Sequence, residues 1–259
     1  MPTGGSPASV PPPVPPLVML DVVDSTNAEA QRRAASGERG PLWICARAQS
    51  QGRGRSGRSW GSPQGSLAAT LLFCPTAPLS ILPELALVAG VATADAIGSL
   101  LPRPATTLRI KWPNDILLDV AKVSGILVES ALFGRDQVAF VGIGINIADK
   151  PDIPDRAITS LAEHGVSTTP DAFAPRLAGA MANRLSQWHH GAGFAAIRTA
   201  WLERAGPPGQ EMSVNTGKGI ATGTFAGLDT DGALLLQDAM GRRQRFTFGD
   251  VSHGAPAKA

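Results

Sequence analysis

Residues 137–147 contain Val138-Ala139-Phe140-Val141-Gly142-Ile143-Gly144-Ile145-Asn146-Ile147, a strand interrupted by two glycines two positions apart. Side chains two apart on a strand share a face, so Gly142 and Gly144 clear one side of the sheet and Asn146 continues that side. A ligand or another backbone can lie against the cleared face.

Further strands are expected from short apolar runs at 17–23, 42–48 and 67–73, from two pieces broken at Pro113 within 108–118, and from an interior strand at 122–129. Helices alternate with them. Thr26 and Glu29 fit a capping box for an Ala-rich helix running to about Ser36, with Gly37 as its stop. Leu85, Val88, Ala92 and Leu100 follow helical spacing across 82–101, ended by Pro102 and Pro104, and this helix should cover one face of the sheet. Phe173, Leu177, Met181, Leu185 and Trp188 mark another helix, and Phe194, Ile197 and Trp201 begin one more. After Gly206-Pro207-Pro208-Gly209 the texture changes to short β runs at 220–228, 233–237 and 243–248, joined by turns at 229–232 and 239–241. The fold class is therefore α+β. A mixed-sheet domain with packed helices spans 17–206 and a small all-β barrel spans 207–255, behind a proline-rich, disordered tail at 1–16.

Composition excludes several partners. With 259 residues at 43% hydrophobic the chain can bury a sizeable core, and 23 basic against 21 acidic residues leave +2, too near neutral for a chain whose main partner is a nucleic-acid backbone. No apolar stretch reaches the roughly 20 residues a membrane helix needs. Cys45 and Cys74 each sit inside an apolar run, which suits buried free thiols in a reducing cytoplasm.

Chemistry-bearing residues gather at strand ends. Gln49 leads into Gly52-Arg53-Gly54-Arg55-Ser56-Gly57-Arg58-Ser59-Trp60, between two strands of one sheet. Glycine allows close backbone approach and the arginine fork recognises carboxylate and phosphate oxygens, so the segment reads as an anion-gripping loop, or as a flexible solvated or nucleic-acid-binding run. Ser25, Thr26 and Asn27 at a helix N-terminus either cap it or line a small polar pocket. Lys111-Trp112-Pro113-Asn114-Asp115 puts an amide and a carboxylate at a turn, and Lys122 is either a snorkelling edge residue or a functional cation. No Cys, His and carboxylate spacing suggests a zinc site.

Taken in order, Asp24-Ser25-Thr26-Asn27, the Gln49 to Trp60 loop, Lys111 to Asp115, Lys122 to Glu129 and Gly142 to Asn146 resemble the biotin protein ligases, over roughly residues 17–252. The C-terminal barrel looks like that family's SH3-like domain. The resemblance implies that biotin attacks Mg-ATP to give biotinyl-5′-AMP, and that a lysine of the biotin carboxyl carrier domain of acetyl-CoA carboxylase or a related carboxylase then takes the biotin. It implies Lys122, Arg55 and Asp115 as catalytic residues. Biotin would meet Ser25, Thr26, Asn27, Gln49, Gly52, Arg53, Gly54, Arg55, Lys122, Gly125 and Gly144. ATP would meet Arg53, Arg55, Arg58, Trp60, Lys111, Asn114, Asp115, Lys122 and Asn146, with Mg²⁺ on Asp115. Ser56 stands where related loops often carry another basic residue. Only the short tail precedes the first motif, which leaves no room for the DNA-binding domain some relatives carry, so a cytoplasmic monomer or homodimer without DNA or membrane partners is expected. A lipoate or octanoate ligase or transferase is the neighbouring enzymatic alternative, and a noncatalytic biotin sensor the non-enzymatic one.

Overall fold

The computed structural model describes residues 12–102, 106–154 and 156–253. Most of the tail expected to be disordered, residues 1–11, lies outside the described residues, whereas the Pro16 carbonyl already accepts from the Trp43 N–H at 2.8 Å. From there the chain enters a seven-stranded sheet. Its strands are β1 (Leu17–Val23), β2 (Leu42–Gln49), β3 (Leu67–Phe73), β4 (Leu108–Lys111), β5 (Asp115–Leu118), β6 (Ala121–Phe133) and β7 (Asp136–Ile145), in the spatial order β1-β2-β3-β7-β6-β5-β4. β1 and β2 run parallel, joined by helix α1 (Thr26–Ala35), and the other pairs are antiparallel.

One face of this sheet grades from large to absent side chains along β7. Val138 and Phe140 form a hydrophobic cluster with Ile44, Leu72, Ala30 and Ala34, which seats the body of α1. Two and four residues beyond Phe140 come Gly142 and Gly144, and the helix begins where the side chains stop. The register extends the hollow sideways. Ala46, Ala68, Gly144, Gly125, Asp115 and Lys111 pair in succession from β2 to β4, so one row of small residues with a charged end forms the floor.

The opposite face carries the main core. Helices α2 (Glu84–Gly98), α3 (Pro170–Trp188) and α4 (Phe194–Leu202) cover it, and α2 is buried nearly all round because the sheet lies on one side and α3 and α4 on the other. α2 stops at Gly98, short of the expected 101, so Leu100 packs partly buried from the turn beyond it. At its start the Trp188 indole N–H donates to Glu84 Oε2 at 2.5 Å; burial pushes the Glu84 carboxyl above its usual range and this bond opposes the shift.

A second sheet follows: β8 (Glu211–Asn215), β9 (Ile220–Leu228), β10 (Leu234–Gln237), β11 (Arg243–Phe246) and β12 (Asp250–His253), ordered β11-β10-β9-β8-β12 and antiparallel throughout. Sequence periodicity locates its three middle runs, whereas β8 and β12 emerge only once paired with each other. Met212, Val214, Phe225, Leu234 and Val251 share the main core, and the Trp112 indole N–H donates to the Gly232 carbonyl at 3.1 Å. Among the described residues no helix is long and apolar enough to cross a membrane. Cys45 is buried and its thiol is pushed up to about 12, but Cys74 is exposed, a correction to the expectation of two buried thiols. The Cys74 apolar run ends one residue earlier, at Phe73, the last of β3.

Candidate active site

The N-terminus of α1 is closed differently from the expected capping box. Ser25 is the capping residue but its side chain makes no cap bond, and the Thr26 N–H donates instead to Gln49 Oε1 at 2.8 Å. Val23 and Gln49 are paired at the ends of the parallel strands, so the Gln49 amide reaches the helix start first. Glu29 pairs with Arg32 and Arg33. Asp24 accepts both Arg32 guanidinium nitrogens and the Ser25 N–H, which hold its carboxyl well below the usual range.

Freed from capping, the polar side chains of α1 turn toward the glycine floor. Thr70, fully buried on β3 and paired with Gly142, lies 2.8 Å from Thr26 Oγ1 and 2.6 Å from Asn27 Oδ1. Asn27 Nδ2 donates to Glu129 Oε2 at 2.7 Å and more weakly to the Leu127 carbonyl. A β-carbon on Gly142 would collide with the Asn27 amide, so that glycine is required for the amide to lie flat on the sheet.

The glycine-arginine segment is a hairpin. Gln49 bridges Ser62, the Trp60 N–H donates to the Gly52 carbonyl at 2.8 Å, Arg53 bridges Ser59, and the tip is a single 3₁₀ turn at Arg55–Gly57 with Ser56 in the left-handed region at φ 54°. This fold lays the Trp60 indole over Gly144 and Gly125, where a β-carbon on Gly144 would strike the ring. The tip is tied to segments beside both sheets. Arg55 Nη1 donates to Asn114 Oδ1 at 2.9 Å and Nη2 to the Gly249 carbonyl at 3.1 Å, while Arg58 Nη2 donates to Asp250 Oδ1 at 2.7 Å.

Lys122 reaches the site through a β-bulge. Ile116 pairs with Ser124 but its neighbour Leu117 pairs with Lys122, leaving Val123 as the extra residue. One extra residue exchanges the faces of a strand, so Lys122 joins Asp115 and Leu117 on the floor side while Val123 enters the core. Its ammonium lies 2.5 Å from Asp115 Oδ1 and 5.2 Å from the Trp60 ring centroid, and its backbone is clasped by the Ala157 carbonyl and the Thr159 N–H. Snorkelling is thereby excluded. Lys111 is half-buried beside this pair, and desolvation pushes its ammonium below the usual value while Asp115 opposes the shift.

The start of α1, Gln49, the hairpin with its arginines and Trp60, and Lys111, Asp115 and Lys122 line one cavity of about 620 Å³, within the range of small-molecule sites, with Thr70 and Glu129 behind its lining. Of the residues expected to form the site, Ser25, Thr26, Asn27, Gln49, Arg53, Gly54, Arg55, Arg58, Trp60, Lys111, Asn114, Asp115, Lys122, Gly125, Gly144 and Asn146 line it. Gly52 does not; it stands behind the wall, where a β-carbon would strike the Trp60 carbonyl. Five cations, Arg55, Arg58, Lys111, Lys122 and Arg156, line it with two carboxylates, Asp115 and Asp250, so one end of the cavity suits a polyanion, whereas Arg53 pairs with Glu129 beside Asn27. The other end offers hydroxyls and amides. Asn146, fully buried at the rim, donates to the Thr159 carbonyl at 3.0 Å, and its Oδ1 has no partner within the described residues.

Residues 19–146 match the biotin/lipoate A/B protein ligase family and residues 209–254 match the biotin protein ligase C terminal domain. A biotin--[acetyl-CoA-carboxylase] ligase of Paracoccus denitrificans is 42% identical, over 87% of this chain and 95% of that protein. The chain belongs to the biotin protein ligase family. A Mycobacterium tuberculosis protein of the same name is 32% identical over 90% of this chain and 88% of its own length. The biotin protein ligase from Aquifex aeolicus in complex with biotin and ATP superposes with a TM-score of 0.75 at 28% identity, covering 92% of this chain and 98% of that one.

Thr70, Glu129, Arg156, Gly249 and Asp250 belong to this ligase's site or its supports but escape sequence reasoning. Thr70 is an ordinary polar residue in an apolar run until the β3–β7 register sets it opposite Gly142. Asp250 and Gly249 arrive from the second sheet, about which local sequence says nothing. The glycine floor carries a direct prediction. In Gly144→Ala the new methyl collides with the Trp60 ring, so the indole must lift, a cost of about 1–3 kcal/mol for overpacking. Biotin affinity measured by calorimetry should fall at least about fivefold, with Tm lowered by roughly 2–4 °C per kcal/mol of that cost, and unchanged affinity would show that Trp60 does not need the floor.

Proposed function

We propose that this chain attaches biotin to a specific lysine of the biotin carboxyl carrier domain of acetyl-CoA carboxylase or a related carboxylase, with ATP as the second substrate. The observation that carries this reading is the single floor row ending in Asp115 and Lys111, with Lys122 swung onto it, between a hydroxyl-and-amide end and a cationic end. Ser25, Thr26, Asn27 and Gln49 match the N–H and C=O groups of biotin's ureido ring, and the Trp60 indole that lies over Gly144 and Gly125 offers an apolar wall for the thioether ring and valeryl chain. In the first step a biotin carboxylate oxygen attacks the α-phosphorus of ATP and the bond to pyrophosphate breaks, giving biotinyl-5′-AMP. In the second the deprotonated carrier amine attacks the acyl carbon, the bond to AMP breaks, and an amide and AMP leave.

Lys122 bridges the reacting carboxylate and the α-phosphate, where negative charge concentrates in the transition state. Lys111, Arg53, Arg55 and Arg58 meet the remaining phosphate oxygens, and Trp60 and Asn146 face the nucleotide. Asp115 keeps Lys122 aimed by its 2.5 Å contact. Among the described residues no group of three His, Cys, Asp or Glu side chains converges on a metal. Such a sparse donor set fits magnesium, which is commonly held by one or two carboxylates, substrate phosphates and water, with Asp115 as the protein ligand. The ion would supply charge neutralisation on the phosphates.

A purified carrier domain incubated with this chain, Mg-ATP and biotin should gain one biotin's mass, and none without ATP. Lipoate, whose dithiolane ring cannot bond to the polar end, should give no increase. An increase with lipoate alone would move the chain to the neighbouring enzymes of the same broad family.

A further inference from the structure

Resting on the biotin reading, one residue outside the cavity lining governs the polarity of its hydroxyl-and-amide end. Glu129 stands on β6 opposite Phe140, two residues along the same face from Leu127. A single oxygen, Oε2, is approached by three donors: Asn27 Nδ2 at 2.7 Å, Arg53 Nη2 at 3.1 Å and Gln31 Nε2 at 3.4 Å. Carboxylate and carbonyl oxygens only accept, so with Glu129 and Leu127 on one side the Asn27 amide must point its NH₂ there and its carbonyl toward Thr70.

The consequence runs along the chain of contacts. Asn27 Oδ1 has no proton, so the 2.6 Å contact with Thr70 takes the one proton the Thr70 hydroxyl possesses. Thr70 then has no proton left for Thr26, and the one Thr26 proton goes to the Thr70 oxygen at 2.8 Å or to Gln49 Oε1 at 3.2 Å. Either way the Thr26 oxygen receives nothing from Thr70 and keeps its lone pairs, beside Gln49 Oε1, which also receives the Thr26 N–H. The hydrogen bonds from Thr70 through Asn27 point toward Glu129. We propose that Glu129 is a positioning residue that fixes this direction, so that the buried end presents lone pairs to the ureido N–H groups of biotin.

The isosteric Glu129→Gln tests this, because a glutamine amide can accept or donate and allows Asn27 to turn over and the hydroxyl chain to reverse. In calorimetric titrations of the full chain with biotin, Glu129→Gln should weaken binding about tenfold, the usual consequence of losing a hydrogen bond to a charged group. Thr70→Val breaks the relay, so the double variant should lose at least about threefold less than the product of the two single losses, whereas Thr70→Ser, which keeps the hydroxyl, should restore the full Glu129→Gln effect. Unchanged affinity in Glu129→Gln with an unchanged Tm, or a shortfall under threefold in the double variant, overturns the proposal. A wild-type chain that binds no biotin would instead remove the functional reading on which it rests.

Discussion

A Lys122→Ala chain forms the adenylate about 10²- to 10³-fold more slowly than the unaltered chain, the loss typical of removing one preorganised donor to a developing charge. Its ammonium is held on three sides, by Asp115 at 2.5 Å, by the Trp60 ring at 5.2 Å and by a backbone clasped between Ala157 and Thr159, so no solvent cation reproduces its placement. Alanine leaves the floor row and the polar end intact, and biotin affinity should fall much less than the rate. Single-turnover release of pyrophosphate measures the first quantity and calorimetry the second. A rate near that of the unaltered chain would remove Lys122 from the chemistry.

Arg55→Gly should leave adenylate formation measurable while the bound intermediate escapes at least about tenfold faster. The guanidinium is the tie between the hairpin tip, Asn114 beside the floor, and Gly249, just before β12 of the second sheet. Each bond from a charged donor contributes roughly 1.5–3 kcal/mol when well shielded, less where water competes, and glycine removes both. Arg58 alone, on the exposed Asp250, is the weaker anchor because a solvent-facing ion pair contributes about 0–1 kcal/mol. A hairpin released at its tip no longer covers the mixed anhydride against water. Retention of labelled biotinyl-5′-AMP through a chase of unlabelled biotin reads the escape directly, and retention as long as in the unaltered chain would refute the tie.

Much of this architecture was legible because burial imposes period and polarity on local sequence. β1, β3 and β9 fall on the expected residues, and Gly142 and Gly144 announce a cleared face. What stayed hidden depends on pairing. The bulge at Val123 decides which face Lys122 occupies, and nothing within 122–129 reveals it. The capping box at Thr26 and Glu29 is a sound local reading overruled by Gln49, an acceptor delivered from another strand. Thr70 and Glu129 acquire their importance only through the registers that set them beside Gly142 and Phe140. The glycine-arginine loop stood out by its composition, but the supports of its tip at Gly249 and Asp250 are almost two hundred positions away.

That separation has a bearing on how the protein comes into being. Arg55 leaves the ribosome 194 residues before the Gly249 carbonyl, so at about 5–20 residues per second roughly 10–40 s pass in which the hairpin tip has at most Asn114 to hold. A nascent chain arrested before β12 would own the floor, Lys122 and the arginines, yet be prone to spill its activated product. On the tie proposed above, tight retention of the reactive acyl donor would begin only once the chain has been made as far as β12.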